Sequence, residues 1–484
     1  MKTVSIRIGV SGKREISPED NERVHKEMRS RIKNLLRHFR VEEFIGYTSL
    51  AAGADTIFAA VVVDEFRMPI HVVLPFPVEE YEKDFDAEGL RVFRQRLGQA
   101  AGVEVAGAAA SDASVAPSDA GQRNAGYLAA GQRIADSCDE MVFVWDGMGR
   151  GGLGGTADIV GYWAEKKKEY PVPYIKVRAV KPDIVQEELI HGYAHSNRLA
   201  IGARNRYRQV WCWVIRLGWL TVGCFAVKQA FMPPHWSNVL ILLEFLMVLA
   251  VYTLIFLARR RDYHGIYLRE RMKAETYRVM RVFYHAGVQM GVSDRSRVGN
   301  KDIGELADSI NRGIDPEEVR SPWYTQYVIR CLVAEQCAYH ADKRKSIGNR
   351  NQIYEQVNFA IGILFIVNLA IHLAVAWFGG AGVEETWQYR IGVFFNLVLP
   401  ASYAALEGFI YFNEWAVLKN YSTSAESSLR EAGDMLPAEP GRIGTQEGYK
   451  AQAQVLHLIS GVMLTDNRNW NLLLENKETY RMII

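Results

Sequence analysis

Hydrophobic and polar positions follow two rhythms along this chain, and the change near residue 190 divides it. Up to about residue 180, apolar runs of strand length (4–10, 44–48, 70–74, a weak one near Val103, 140–145 and 173–177) alternate with stretches of helical spacing, including Gln122 to Asp136. This alternation predicts an α/β domain built on a Rossmann-like parallel sheet. Further on the runs lengthen. Residues 239–258 carry one charge, Glu244, and end against Arg259, Arg260 and Arg261, while 357–378 hold His372 as their only ionisable residue and 391–412 hold only Glu407. Each run is long enough to cross the ~30 Å core of a bilayer. A fourth run, about 210–232, contains Arg216 and Lys228 and pairs with the next across Pro233 and Pro234. The expectation is an all-α membrane domain with four transmembrane helices in two hairpins, at about 210–232, 238–258, 357–378 and 391–412.

Charge orients these hairpins. The short linkers 233–238 and 379–389 lack Lys and Arg, whereas Arg198, Arg204, Arg206 and Arg208 precede the first hairpin, Arg259 to Arg261 follow it, and Lys343, Arg344, Lys345 and Arg350 precede the second. The positive-inside rule then puts both termini and the middle segment in the cytoplasm. The N-terminus starts with charged residues and a strand and shows no cleavable signal. The domain plan is 1–180, 181–287 with the first hairpin, a connecting region 288–345, and 346–484 with the second. The hairpins look like copies of one unit: Ile201-Gly202-Ala203-Arg204-Asn205 recurs as Ile347-Gly348-Asn349-Arg350-Asn351, and Ala274, Glu275 and Arg278 recur as Ala425, Glu426 and Arg430.

Polar residues inside membrane runs are functional candidates. Depth matching sets Glu244 level with Lys228, and Arg216 lies near enough to the cytoplasmic end to snorkel, as does Glu407 to reach that end. Asn368, His372 and Asn396 either line a polar path or bond a neighbouring helix. With the charged residues nearly balanced at a net +2, composition alone describes an average soluble protein, which the long apolar runs overrule. The five cysteines form no CxxC pair and the eleven histidines no HExxH set, so neither a metal site nor a disulfide framework is expected. Basic residues flank the apolar runs, where lipid rather than nucleic acid explains them.

The densest chemistry lies where strands end. Residues 140–158 read EMVFVWDGMGRGGLGGTAD: a strand ends in Trp145-Asp146-Gly147 and opens onto a loop that closes with Gly154, Gly155 and Thr156 at the start of a helix. Glycine lets backbone N–H groups approach a phosphate, and the helix start adds unpaired amides and a positive dipole end. The other strand ends contribute Gly12-Lys13-Arg14, then Ser49 and Leu50 with Gly53 and Asp55, then Pro75 and Phe76 with Glu80, Tyr81 and Asp84; Arg123 and Tyr127 lie early in a later helix. Open parallel sheets bind ligands at these carboxyl ends. Lys13, Arg14 and Arg123 are candidate phosphate contacts. Asp146 is placed either for a ribose hydroxyl or to order the loop, and Ser49, Asp55 and Thr156 either cap helices or touch ligand.

In this order the motifs SGKR, SLAAGAD, LPFPVEEYEKDF, RNAGYLAAGQRIAD, VFVWDG and GGLGGTADIV resemble the SLOG superfamily over about 180 residues. That Rossmann-like group includes the DNA-processing protein A and cytokinin-activating LOG enzymes, and channels of the TRPM type carry a similar domain that recognises ADP-ribose derivatives. The helices beyond residue 190 resemble the SLATT type of membrane effector. The resemblance implies a bacterial inner-membrane protein that senses a nucleotide second messenger, ADP-ribose-like or cyclic, made by a partner synthase in antiviral defence, with no further cofactor. LOG hydrolases carry GGxGTxxE, and counting from Thr156 puts Ile159 at the glutamate's place, with Asp158 one position early. Binding is therefore favoured over N-glycosidic hydrolysis, and Asp158 remains a candidate ribose contact. A membrane-anchored hydrolase and a nucleotide-gated channel are the rival readings. Four spans are few for a lumen, so a homo-oligomer is expected.

Overall fold

The computed structural model describes residues 5–39, 43–106, 120–149, 154–178, 183–232, 234–291, 301–314, 321–379, 386–413, 415–438, 440 and 445–480. The flexible loop expected within 100–120, the middle of the glycine loop and much of 288–322 lie outside them. Two compact units divide the chain: residues 1–190 with 278–334 and 431–461, and residues 191–277 with 335–430 and 462–484.

The first unit holds six parallel strands, β1 (Ser5–Gly12), β2 (Glu43–Thr48), β3 (Ile70–Leu74), β4 (Gly102–Val105), β5 (Glu140–Trp145) and β6 (Ile175–Lys176), in the order β4-β3-β2-β1-β5-β6. The chain winds outward from β1 in one direction and then crosses to β5 on its other side, which makes the β1/β5 boundary a topological switch point. Alternation along β5 explains the layering. Val142 and Val144 face the cluster formed by α1 (Pro18–Phe39) and α2 (Ala54–Ala60), while Phe143 and Trp145 face α5 (Ala120–Ser137) and α6 (Thr156–Lys167). Between α2 and α5 lie the short α3 (Val78–Tyr81) and α4 (Ala87–Leu97).

The remaining helices are α7 (Ile184–Phe231), α8 (Pro234–Arg260), α9 (Tyr263–Ala286), α10 (Lys301–Gly313), α11 (Pro322–Phe378), α12 (Trp387–Asn413), α13 (Trp415–Asp434) and α14 (Thr445–Tyr480). Four helical stretches, 184–231, 238–286, 322–378 and 387–410, are long and apolar enough to cross a membrane, and almost none of their most apolar residues are buried. The run 210–232, with its two cations, is one of the four. In the second unit the related motifs fall on corresponding helices: Gly202 and Gly348 lie within α7 and α11 ahead of the apolar runs, and Glu275 and Glu426 are buried on the returning α9 and α13. Each glutamate is held by arginine, Glu275 by Arg271 and Glu426 by Arg344 at 2.7 Å and Arg430 at 2.9 Å.

The linear domain plan differs from the observed one in a definite way. The start of α11, read from sequence as part of a connecting region, belongs to the α/β unit, where Tyr324 and Tyr327 are buried in the same cluster as Trp145 and Trp163. Segment 301–314 belongs there too: Asn311 bonds both the N–H and the carbonyl of Met290, at 2.9 and 3.0 Å.

Candidate functional site

A cavity of about 570 Å³ opens at the carboxyl ends of β1, β2, β3 and β5, at the switch point. Twelve of the sequence candidates line it: Gly12, Lys13, Arg14, Ser49, Asp55, Pro75, Tyr81, Tyr127, Asp146, Gly154, Gly155 and Thr156. The loop backbone explains why they converge. Lys13 N–H donates to the Val144 carbonyl at 3.0 Å and Ala54 N–H to the Lys13 carbonyl at 3.1 Å, so the ends of β1 and β5 and the start of α2 are tied together. Gly53, at φ +78°, turns this corner with no room for a Cβ against the Lys13 and Arg14 carbonyls. Gly154, at φ +86°, packs its Cα against the Asn124 carbonyl and the Leu128 amide. A side chain there would be both strained and in collision.

Carboxylates organise the polar wall. Asp146 accepts from Met148 N–H at 3.0 Å and pairs with Lys13 at 3.0 Å, so it orders the loop and anchors a cation at once. Asp55 accepts from Thr48 Oγ1 and Ser49 N–H, both at 3.0 Å, while burial pushes its carboxyl up to about 6 against those bonds. Arg14 stacks 4.9 Å from the Tyr127 ring centre and reaches Asp84 at 3.7 Å. Burial opposes its charge, and the nearby Tyr81, Tyr127 and Asp84 outweigh that and hold it above its ordinary value. The apolar wall is Ile134, Gly131, Ala130 and Ile159. Arg178, Asn124 and Glu15 are further polar residues of the lining. None of these three carried a recognisable signal: Arg178 lies past the last strand, and Asn124 matters for a backbone carbonyl that any residue would supply.

Eight candidates lie off the cavity wall. Arg123 is committed to Glu80 at 2.6 Å and to Asp84, and its guanidinium lies over Phe76 at 4.9 Å, so it braces the rim rather than offering a free phosphate contact. Trp145 is buried, with Nε1 donating to the Met148 carbonyl at 2.9 Å; Gly147 lies beneath the loop, its carbonyl accepting from Tyr324 at 3.4 Å. Leu50 is buried in the strand-to-helix turn with φ +56°. Asp158 is the informative one. It is 1% exposed, and one carboxylate oxygen accepts from Gly154 N–H while the other has no partner among the described residues. Burial pushes it up to about 7. Ile159, the third residue after Thr156, does line the cavity.

In the second unit the polar residues of the apolar runs bond one another across helices. Lys228 on α7 meets Glu244 on α8 at 3.0 Å. Asn368 on α11 donates to Asn396 on α12 at 2.8 Å, Asn396 meets His372 Nδ1 at 2.7 Å, and Glu407 accepts from the buried Asn358 at 2.7 Å. Asn358 was missed because one asparagine in an apolar run is unremarkable until its partner is known. Arg216 lies 5.4 Å from the Trp213 ring centre. No family model matches this chain, and no curated protein is significantly similar to it in sequence.

Proposed function

We propose that this protein is a nucleotide-responsive membrane effector, in which a nucleotide bound at the strand ends changes the state of the helices that cross the membrane. The observation that carries this reading is α11. Its first turns put Tyr324 and Tyr327 in one apolar cluster with the cavity-lining Ile134 and Ile159, and the same unbroken 57-residue helix contains the third candidate span. Gly161 on α6 leaves space for the backbone of Trp323, and Tyr324 bonds the Gly147 carbonyl and His285. Glu165, at the far end of α6, accepts from Gln326 at 2.8 Å and pairs with Arg330 at 3.2 Å. A ligand that contacts Gly154, Gly155 and the start of α6 therefore acts on a helix that α11 touches over about two turns, from Trp323 to Arg330.

The ligand class follows from the two walls. The N-terminus of α6, with Lys13 and the loosely paired Arg14 beside it, suits phosphates, the Ala130, Ile134 and Ile159 side suits a base, and 570 Å³ lies within the usual range for small-molecule sites, while Arg178 pairs with Glu19 at 2.7 Å. An ADP-ribose-like or cyclic nucleotide from a partner synthase fits this description, and the resemblance of the motifs to SLOG and SLATT proteins favours a role in antiphage defence. The packing of 278–334 and 431–461 with the N-terminal domain supports an even number of crossings per hairpin, which agrees with the cytoplasmic placement of the sensor that the flanking basic residues favour. Assembly into a homo-oligomer supplies the lumen that four helices alone do not. Hydrolysis is the weaker reading, because Ile159 presents hydrocarbon where the reaction needs a carboxylate.

The test is thermal stabilisation of the purified full-length chain by a panel of NAD-derived and cyclic nucleotides, with chromatography of each mixture and ion efflux from proteoliposomes. Stabilisation and efflux with one intact nucleotide are expected. Breakdown of the nucleotide makes the protein an anchored hydrolase, and stabilisation without efflux removes the effector role.

A further inference from the structure

Within the second unit an apolar groove of about 600 Å³ runs between α7 and the α11/α12 pair. Trp213, Trp219, Tyr354 and Phe409 form much of its wall, and Arg216 is the single charged residue on it. The other polar groups are largely spent. Ser402 Oγ accepts from Trp219 Nε1 at 2.8 Å and donates to the Val398 carbonyl at 2.7 Å, and the Tyr354 ring packs on Phe409. Among the described residues Arg216 makes no ion pair; its contact is the Trp213 ring. An exposed guanidinium beside an apolar slot in a membrane-crossing helix suits an anionic partner at the membrane surface.

The position along the helices identifies that anion. Arg216 lies six residues inside the apolar run that starts at Val210, about 9 Å along the axis, while Ser402 to Phe409 reach from the middle of the run 391–412 toward its end. The slot therefore extends from near the cytoplasmic end of the hairpins toward mid-membrane, and an arginine at this depth reaches the headgroup level. We infer that the groove is a site for one anionic phospholipid of the cytoplasmic leaflet, its acyl chain in the slot and its phosphate on Arg216. Charge complementarity favours a net anion over a zwitterionic lipid, whose own ammonium offsets the phosphate charge offered to the guanidinium. The lipid bridges the two hairpins. This inference rests on the membrane reading of the helices and is independent of the nucleotide reading, so either can fail alone.

The experiment is native mass spectrometry of the full-length chain released from nanodiscs containing equal phosphatidylglycerol and phosphatidylcholine. The wild type is expected to retain one phosphatidylglycerol per chain in preference to phosphatidylcholine. Arg216→Gln is expected to cut that preference about fivefold, and Arg216→Lys to keep most of it. Ala405→Trp fills the slot without touching the charge and is expected to lose the bound lipid, which keeps the test decisive if Arg216→Gln does not fold. Equal retention by Arg216→Gln or by Ala405→Trp overturns the inference. So does efficient disulfide crosslinking of Leu220→Cys between copies in membranes, which makes the groove a subunit contact.

Discussion

Replacing Asp158 by asparagine isolates the one buried carboxyl that the glycine loop turns inward. Its folded-state pKa of about 7 lies roughly three units above the ~3.9 of a free aspartate, equivalent to about 4 kcal/mol. The folded state holds the proton more tightly than the unfolded chain, so this group's contribution is fully present below pH ~4 and is lost as the pH rises to about 7. In Asp158→Asn the amide oxygen still accepts from Gly154 N–H, and the NH₂ takes the place of the oxygen that lacks a partner, costing about 1–3 kcal/mol at all pH values. The variant is therefore less stable than the wild type near pH 4 and as stable or more stable above pH 7. The swing in the difference between them is about 4 kcal/mol, or very roughly 5–10 °C in relative Tm. Thermal unfolding of both full-length proteins in one detergent from pH 4 to 8 measures it, and other titrating groups cancel in the difference. An offset that stays constant across that range refutes the buried, proton-binding assignment. Nucleotide binding survives the change, because Asp158 is not on the cavity wall; loss of binding by a folded variant would make Asp158 a ligand contact after all.

Gly154→Ala forces a side chain into φ +86° and to within 2.6 Å of the Asn124 carbonyl, so ligand-induced stabilisation should vanish while the membrane helices fold normally by circular dichroism. Lys228→Met leaves Glu244 without its cation at a site where both side chains are less than a fifth exposed, and should destabilise by roughly 2–5 kcal/mol, with Lys228→Met/Glu244→Gln recovering at least half of the loss in thermal unfolding. Glu165→Gln keeps the Gln326 contact but loses the charge that holds Arg330, so nucleotide affinity should stay within about threefold while nucleotide-triggered efflux from proteoliposomes falls at least tenfold; unchanged efflux sinks the coupling route. A fragment ending at residue 190 lacks Tyr324 and Tyr327 and uncovers the cluster around Trp145 and Trp163, so it should run as an aggregate in size-exclusion chromatography.

Local pattern was enough for the sheet. The runs 70–74 and 140–145 are β3 and β5 to the residue, because each is short, apolar and bounded by turn formers. Strand ends then predicted the lining of the cavity, since a parallel sheet brings the residues after β1, β2, β3 and β5 to one edge whatever the loops do. What sequence did not reveal was pairing. Arg123 reads as a free cation until Glu80 and Asp84 are found beside it, and Asp158 reads as a ribose contact until it is found buried and holding Gly154 N–H. The packing of α11 on α6 was hidden for the same reason: Trp323 to Tyr327 are ordinary helix residues separated from Gly161 by more than 150 positions, and nothing in their spacing names a partner. In the membrane runs the opposite held for Lys228 and Glu244, where hairpin geometry and equal depth make the pair computable from sequence.

Coupling between site and membrane has an energetic requirement that the brace behind the cavity is able to meet. A ligand moves an equilibrium only by its differential affinity for the two states, and a shift from 1:99 to 99:1 requires about 5.5 kcal/mol. Glu165 to Gln326 at 2.8 Å, Glu165 to Arg330 at 3.2 Å and Arg330 to the Gly433 carbonyl at 2.9 Å are charge-assisted bonds among largely buried groups. At about 1.5–3 kcal/mol for each bond to a charged group, breaking two or three of them is of the required size. Bonds of this kind are made or lost over about 1 Å, so the seat of α11 on α6 is better suited to two discrete positions than to gradual bending. Hydrogen exchange locates the change: the amides of 322–334 should alter their protection when the nucleotide binds, in step with those of the glycine loop. Protection that changes in the loop alone would confine the ligand's effect to its own pocket and leave the membrane helices without a drive.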